Sequence, residues 1–444
     1  MSGARRGVVI TGTGAICALG DRPDRIYQAL CEACSGFGAP TVFPAGIACG
    51  RLVAEIRDFS PQAYLGDRNA RPLDRTGRLA AVGVELALAD SGWPVDERRD
   101  QQVGLILGTM FCSVRTIGEF DRRAQSAGPE YASPLDFSNT VLNAAAGQVA
   151  IWHRLSGVNS TIAAGAVSGL HAIGYATELI RNGRASVLVA GGVEEICFES
   201  FQGFLGAGLL GPPAGDSSGC SVPFHARRSG TALGEGAAFL VLEAEDVALA
   251  RGARVVGRIH GFASGYNPPP LPQEPVEKSL WRPPLGGPAV VRLKPDTTYS
   301  DFFTGRQAGQ NSQNALSRAI ERALRDGGVP AAAIGAVAAS ASGSPVQDAR
   351  EALAIRDVIG RTTPVTAIKS MEGETLGASG PLNAIAMIES LHDGRVPGIA
   401  GLDRIDPEID LAVTPAVQRA SGSHALVTAV AAEGNCCALV LGLD

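Results

Sequence analysis

The sequence predicts a layered α/β fold made of two pseudo-equivalent halves. Short β-branched runs bounded by glycine alternate with helix-period segments along most of the chain. The composition, 45% hydrophobic and 18% charged with 56 glycines in 444 residues, suits a closely packed protein with many tight turns and excludes a disordered or fibrous one. One stretch is echoed: Ser168-Gly169 is followed 16 positions later by Arg184 in "NGR", and Ser379-Gly380 is followed 16 positions later by Arg395 in "DGR". Each copy reads as a small-residue turn, a buried helix, a Gly-Arg stop and a strand, the trace expected of two related halves.

Each element has its own signal. "GVVITGTGAI" at the start is β-branched and glycine-punctuated, as expected of a central strand feeding a loop. "LDRTGRLAAVGVELALADSG" carries apolar residues at helical spacing and ends in glycine, a helix with its stop. "QVGLILGT" is a buried strand, "NAAAGQVAIWHRLSG" a helix, "NSTIAAG" a strand, "SGLHAIGYATELIRNGR" a helix, "ASVLVAGGVEE" a strand, and "GEGAAFLVLEAEDVALARG" a strand with a short helix. The second part opens at "ARVVGRIHGFASG" and continues through the helix "NALSRAIERALRDGG", the strand "AIGAVAASASG" and a closing strand "CCALVLGLD". The expected division is 1–255 and 256–444. A Pro-rich, aperiodic stretch at 267–307 reads as a surface excursion or linker.

The bulk numbers exclude several roles. A formal charge of −6 argues against nucleic acid, whose phosphates need a basic surface. Arg68, Arg71, Arg75 and Arg78 recur at helical spacing, either as a solvated face or as a docking stripe for an acidic protein. No run approaches the roughly 18 apolar residues of a membrane span, and the start is too short in its apolar part for a secretory signal, so a cytoplasmic location is expected. Nine scattered cysteines point to reduced, mostly buried thiols, with "CEAC" at 31–34 structural. No metal constellation or cofactor motif is visible, and none of the six histidines stands in a reactive pattern.

The stretch "IAAGAVSGLHAIG" at 162–174 is a strand, a tight turn and a helix start. Such turns expose a side chain at the end of a sheet, with helix N–H groups beside it to hold an oxyanion. The residue at the apex is Ala166, which has nothing to attack with.

Five stretches together carry a resemblance: "GVVITGTGAI", "PLDFSNTVLNAAAGQVAI", "AVSGLHAIGYATELIRNGRASVLVAGGVEE", "PFHARRSGTALGEGAAFLVLE" and "KSMEGETLGASGPLNAI". The chain resembles the β-ketoacyl-acyl carrier protein synthases, or ketosynthases, which have the thiolase fold and condense acyl chains in fatty acid and polyketide synthesis. The likeness covers nearly everything outside 267–307. Family members carry a Cys nucleophile in a "C-x-S-G" turn, where this chain has Ala166. Their first His lies in an "H-G-T-x-T-P" loop, where "SASGSP" puts Ser340. Their second His lies in "K-S-x-x-G-H-x-x-G-A-x-G", where "KSMEGETLGASG" keeps Lys369 but puts Glu374 at the His position. The Gly-Phe-Gly-Gly stretch before the last strand is "AAEG" at 431–434.

Condensation needs a thiolate to accept the acyl chain and imidazoles to donate to the enolate formed as carbon dioxide leaves. The resemblance therefore implies no condensing activity from this chain alone. Ser168 and the pair Cys436-Cys437 are the substitute nucleophiles to weigh, but a helix N-terminal role suits the first and strand core the others. Polyketide systems contain a ketosynthase-like subunit without the Cys, the chain-length factor, and this chain looks like one. Chain-length factors typically show Gln at the nucleophile position, so Ala166 leaves the pathway open between aromatic, polyene and other products. The implied partners are an intact ketosynthase, paired through "NSTIAAG" and neighbouring helices, and an acyl carrier protein. Met110 and Phe111 in "GTMFCSV" are then tunnel-wall or ordinary core residues, and Phe137 and Thr140 in "DFSNTVLN" are tunnel residues that touch the partner's pocket at the dimer seam, or are likewise core. Two alternatives stand beside this reading: a hydrolytic or acyl-transfer enzyme using Glu374 or Ser340 as a base, and a homodimer that only binds acyl groups.

Overall fold

The computed structural model describes residues 5–67, 69–267 and 314–444; beyond Asn267, the Pro-rich stretch lies outside them, as does Arg68. The opening run forms β1 (Val8–Cys17), buried along its whole length. It lies at the middle of a ten-stranded sheet with β2 (Gly104–Gly108), β3 (Asn159–Ile162), β4 (Val187–Glu194), β5 (Gly236–Ala244), β6 (Gly257–Tyr266), β7 (Ile334–Ala338), β8 (Val365–Thr366), β11 (His424–Val430) and β12 (Asn435–Gly442). Short β9 (Arg395–Val396) and β10 (Gln418–Arg419) pair with each other.

The order across the large sheet is β3-β2-β4-β5-β1-β6-β12-β11-β7-β8. Outward from the centre, each half runs first strand, last, fourth, second, third. The pair types match as well: in each half, two antiparallel pairings next to the centre are followed by two parallel ones. The halves join where Val9 and Ile10 of β1 pair with Arg258 and Gly257 of β6. The two pseudo-equivalent halves are therefore a matter of topology.

Helix α1 (Arg75–Ser91), capped by the Asp74 carboxylate accepting from Gly77 N at 2.8 Å, lies on β1. Gly14 lets it do so, because a side chain there would run into the α1 backbone at Ala87 and Gly83. The other helices used below are α2 (Val114–Ala127), α3 (Ala144–His153), α4 (Ser168–Arg181), α5 (Phe198–Gly206), α6 (Ala315–Gly327), α7 (Pro345–Val358) and α8 (Ser379–Asp393). The two echoed segments are α4 and α8, and they meet each other. A Cβ on Gly380 would fall 2.8 Å from Leu170 Cβ, and one on Gly169 would fall 2.7 Å from Pro381. The glycines of the two Ser-Gly pairs mark a second close contact between the halves, and Gly183 and Gly394, both with positive φ, end the two helices.

The arginine stripe is corrected by the structure. α1 begins at Arg75, so Arg71 precedes the helix, and Arg75 turns inward to Glu235, with Nη2 to Oε1 at 2.5 Å. That guanidinium is committed to a fully buried carboxylate and is neither a solvated nor a docking face. Of the nine thiols, Cys34 and Cys49 are exposed and five are buried. No helix among the described residues is long and apolar enough to cross a membrane.

Candidate active site

The turn between β3 and α4 has Ala166 half-buried at its apex. Gly165 before it has φ +69°, a conformation that favours glycine. Ser168 braces the turn from inside: its hydroxyl donates to Gly165 O at 2.6 Å and accepts from Ala164 N at 2.8 Å. It is fully buried, a structural hydroxyl with both roles occupied. Cys436 and Cys437 lie in the core of β12, and burial pushes Cys436 up to about 11 and Cys437 well above the usual thiol range. Neither is a thiolate at neutral pH.

Ser340, Lys369 and Glu374 come together in one buried network. Ser340 follows β7, Lys369 opens a short helix after β8, and Glu374 follows Gly373, whose φ of +74° turns the chain back to bridge with Leu233. Lys369 Nζ donates to Glu374 Oε2 at 2.6 Å, Ser340 O at 2.7 Å and Ser340 Oγ at 3.2 Å. A lysine ammonium has three donors, and these contacts use all of them. Glu374 Oε1 accepts from Ser379 Oγ at 2.8 Å and from Leu376 N at 3.0 Å. Ser340 Oγ also accepts from Val430 N at 3.1 Å, and Ser340 N donates to Glu351 Oε1 at 2.8 Å.

The 430–434 segment links this network to the turn. Val430 N holds Ser340, and the Glu433 carboxylate lies in the space that a side chain at position 165 would fill. Burial raises the Glu433 carboxyl, and the charge of Glu374 adds to the rise. Two more carboxyls close the site. Glu351, fully buried, is pushed up to about 7 by desolvation against hydrogen bonds from Thr428 and Ser340. Glu372 is pushed up to about 8 by burial, with Lys369 opposing. Glu374 thus bonds the Lys369 ammonium, Glu351 and Glu372 feel its charge, and Glu433 lies near Glu374; of these four carboxyls the sequence motifs disclosed only Glu374. Glu433 sits in the "AAEG" stretch, where a carboxylate replaces glycine-rich backbone.

Met110 and Phe111 are half-buried against an apolar cluster that also takes in Ala166, Phe201, Phe204, Leu233 and Leu376. The Phe111 and Phe204 rings meet edge-on, centroids 6.3 Å apart. Glu194, another residue the motifs did not single out, fixes this loop. Its carboxylate accepts from Met110 N at 2.7 Å, Phe111 N at 2.9 Å and Cys112 N at 3.1 Å, and from Gly377 N of the other half at 3.3 Å. Phe137 and Thr140 lie elsewhere. Phe137 is 62% exposed, its ring 5.9 Å from that of Phe120 on α2, and Thr140 Oγ1 donates to Phe137 O at 2.8 Å. Neither belongs to the Met110 cluster of their own chain.

A model of the β-ketoacyl synthase N-terminal domain matches residues 5–248, more than half of the chain, and a model of its C-terminal domain matches 300–403. The chain belongs to the β-ketoacyl synthase family. A 3-oxoacyl-[acyl-carrier-protein] synthase 2 of Synechocystis is 30% identical over 423 residues, covering 94% of this chain and 92% of that protein. One from Rhizobium meliloti is 30% identical over 427 residues, covering 93% of each. Among solved structures, the ishigamide ketosynthase/chain length factor has a TM-score of 0.84 at 27% identity, covering 99% of this chain and 100% of that one. A β-ketoacyl synthase from Burkholderia phymatum has a TM-score of 0.82 at 26% identity, with the same coverage. A Xenorhabdus doucetiae ketosynthase in complex with its chain length factor shares the fold, with a TM-score of 0.74 at 20% identity, covering 99% of this chain and 98% of that one. The family assignment accounts for the fold.

Proposed function

We propose that this chain is a non-condensing member of the ketosynthase family, a chain-length-factor-like subunit that pairs with an intact ketosynthase and shapes its acyl tunnel. The observation that carries the reading is the Lys369–Glu374–Ser340 network. An enolate next to Ala166 would need neutral or cationic donors aimed at it. Here the positions assigned by resemblance to two histidines hold a carboxylate and a hydroxyl, and all three ammonium donors of Lys369 end on protein oxygens. Glu433 adds a carboxyl beside the apex. Ala166 supplies no group to carry the acyl chain. Losing one oxyanion donor alone removes on the order of 3 kcal/mol of transition-state stabilisation.

The same network argues against the hydrolytic alternative. A general base needs a lone pair facing substrate, and both Glu374 oxygens are engaged by Lys369, Ser379 and Leu376.

The surface supports pairing. β3 is an end strand of the sheet, bonded among the described residues to β2 alone, and such an edge invites a strand from another subunit. The segment 135–151, whose helix α3 packs against β3, exposes Leu135, Phe137, Val141, Leu142 and Ile151, each at least 47% accessible, apolar surface of the kind that an interface covers. The likeness to the ishigamide ketosynthase/chain length factor, at 27% identity, favours a different subunit over a second copy as the occupant.

Co-expression with an intact ketosynthase tests the reading. We expect stable one-to-one copurification, with Met110→Ala or Phe111→Ala lengthening the product of the pair by opening volume at the cluster. A chain that purifies as a two-fold homodimer and ignores the ketosynthase would displace the heterodimer in favour of an acyl-binding homodimer.

A further inference from the structure

Far from the Ala166 turn in sequence, three neighbouring strands of the C-terminal half bring two imidazoles and a carboxylate together. His260 lies in β6, His424 opens β11, and Asp444 follows β12, which runs between them. The residue of β12 flanked by the two rings is Gly442, paired with Arg258 on one side and His424 on the other. A Cβ at Gly442 would fall 2.8 Å from His260 Nε2 and 3.0 Å from His424 Cδ2. The glycine therefore leaves open the space into which both rings point.

We propose that His260, His424 and Asp444 form a binding site for a divalent first-row transition metal ion, Zn²⁺ being the ion that best fits the donors. One ligand atom from each residue lies within 4.8 Å of the other two. His260 Nε2 and His424 Nε2 stand 3.7 Å and 3.3 Å from Asp444 Oδ1. With Zn–N and Zn–O bonds of about 2.0–2.1 Å, the edge of a tetrahedron is about 3.4 Å, so both separations suit an ion placed among the three atoms. His260 Nε2 is buried and has no hydrogen-bond partner, a lone pair or N–H otherwise unsatisfied. His424 Nδ1 lies 3.0 Å from Ser423 Oγ. Donation from that nitrogen leaves Nε2 free to ligate, the outer-shell arrangement usual for metal-bound imidazole.

Burial and the neighbouring His424 lower the His260 pKa, with Arg258 and Arg181 acting in the same direction and Asp444 against it. Neutral imidazole is the ligating form. The site adjoins a cavity of about 320 Å³ that Arg5, Arg181 and Arg258 help to line. These guanidiniums have carboxylates of their own: Arg5 and Arg181 with Asp326 at 2.7 and 2.6 Å, and Arg258 with Glu245 at 2.6 Å. Asp444 thus stays available to the ion, and water from the cavity can complete the coordination.

The test is isothermal titration of the full chain, stripped with chelator, against Zn²⁺, with Mg²⁺ as control and Co²⁺ as spectroscopic probe. We expect one Zn²⁺ per chain, no Mg²⁺ heat, the strong visible absorption of four-coordinate Co²⁺, and a melting temperature that rises with Zn²⁺. The double variant His260→Gln/His424→Gln should abolish this binding. Asp444→Asn, at an exposed position that does not support the core, should weaken it about tenfold. Absence of Zn²⁺ binding by the intact chain would overturn the proposal. So would binding that survives both variants, which would place the ion on exposed thiols such as Cys34 and Cys49.

Discussion

Lys369 and Glu374 are 3% and 5% exposed, a buried ion pair whose worth depends on both members being present. Removing one partner of such a pair strands the other's charge and destabilises by about 3–5 kcal/mol, whereas replacing both with apolar residues is often neutral. Lys369→Met should therefore lower unfolding stability in urea by that amount, and Lys369→Met/Glu374→Leu should recover most of it. Additive losses would show that the pair is not coupled. Glu372 makes a pH prediction. Its carboxyl is raised to about 8 in the folded protein, against about 4.3 in an unfolded chain. Between those values the folded state keeps a proton that the unfolded state has released, so this group's contribution falls as pH rises. Glu372→Gln should flatten the stability profile between about pH 5 and pH 8 and recover up to about 5 kcal/mol at the alkaline end. Parallel profiles for the two proteins would rule out the buried acid.

The loop bearing Met110 and Phe111 is an element held from outside itself. Glu194, at the end of β4, takes backbone N–H groups from three consecutive residues of that loop and one from Gly377. The carboxyl is pushed up to about 7 by burial, against these same hydrogen bonds. Glu194→Ala leaves buried donors without acceptors, at about 1–3 kcal/mol each, and should lower stability by at least about 3 kcal/mol. A loss under about 1 kcal/mol would mean that the loop is fixed by its apolar contacts alone. Much at this scale was legible in the sequence. β1, α1, α3, α4, β4, β5, α6 and β12 follow from β-branched runs and helical spacing, and the Ala166 turn, Ser340, Lys369 and Glu374 from motif position. α2, α5, α7 and β11 were not singled out, since their apolar residues stand among many polar or small ones. Glu194, Glu351, Glu372 and Glu433 were missed for another reason: a carboxylate's importance here comes from burial and from partners far along the chain, neither of which a local pattern records. The arginine stripe failed in the same way, because Arg75 answers to Glu235, 160 residues on.

At the scale of the whole molecule, two related halves share one ten-stranded sheet, and β3 at its end is bonded, among the described residues, only to β2. Gly169 of α4 packs against Pro381 of α8 and Gly380 of α8 against Leu170 of α4, and the proposed pairing would use β3 together with exposed apolar residues such as Leu135 and Phe137. Leu135→Asp/Phe137→Asp, at residues 75% and 62% exposed, should leave the melting temperature of the isolated chain nearly unchanged and weaken its association with a ketosynthase at least about tenfold. Unchanged association would move the interface away from this face.

The account rests on Ala166 and the engaged Lys369 network leaving the pocket unable to hold or condense an acyl group. Its most direct test is intact-mass spectrometry of the purified chain after incubation with acyl- and malonyl-carrier protein, with release of carbon dioxide followed in the same sample. The account predicts an unmodified mass and no decarboxylation above the blank. A covalent acyl adduct formed and consumed at a steady rate, with no other subunit present, would contradict it.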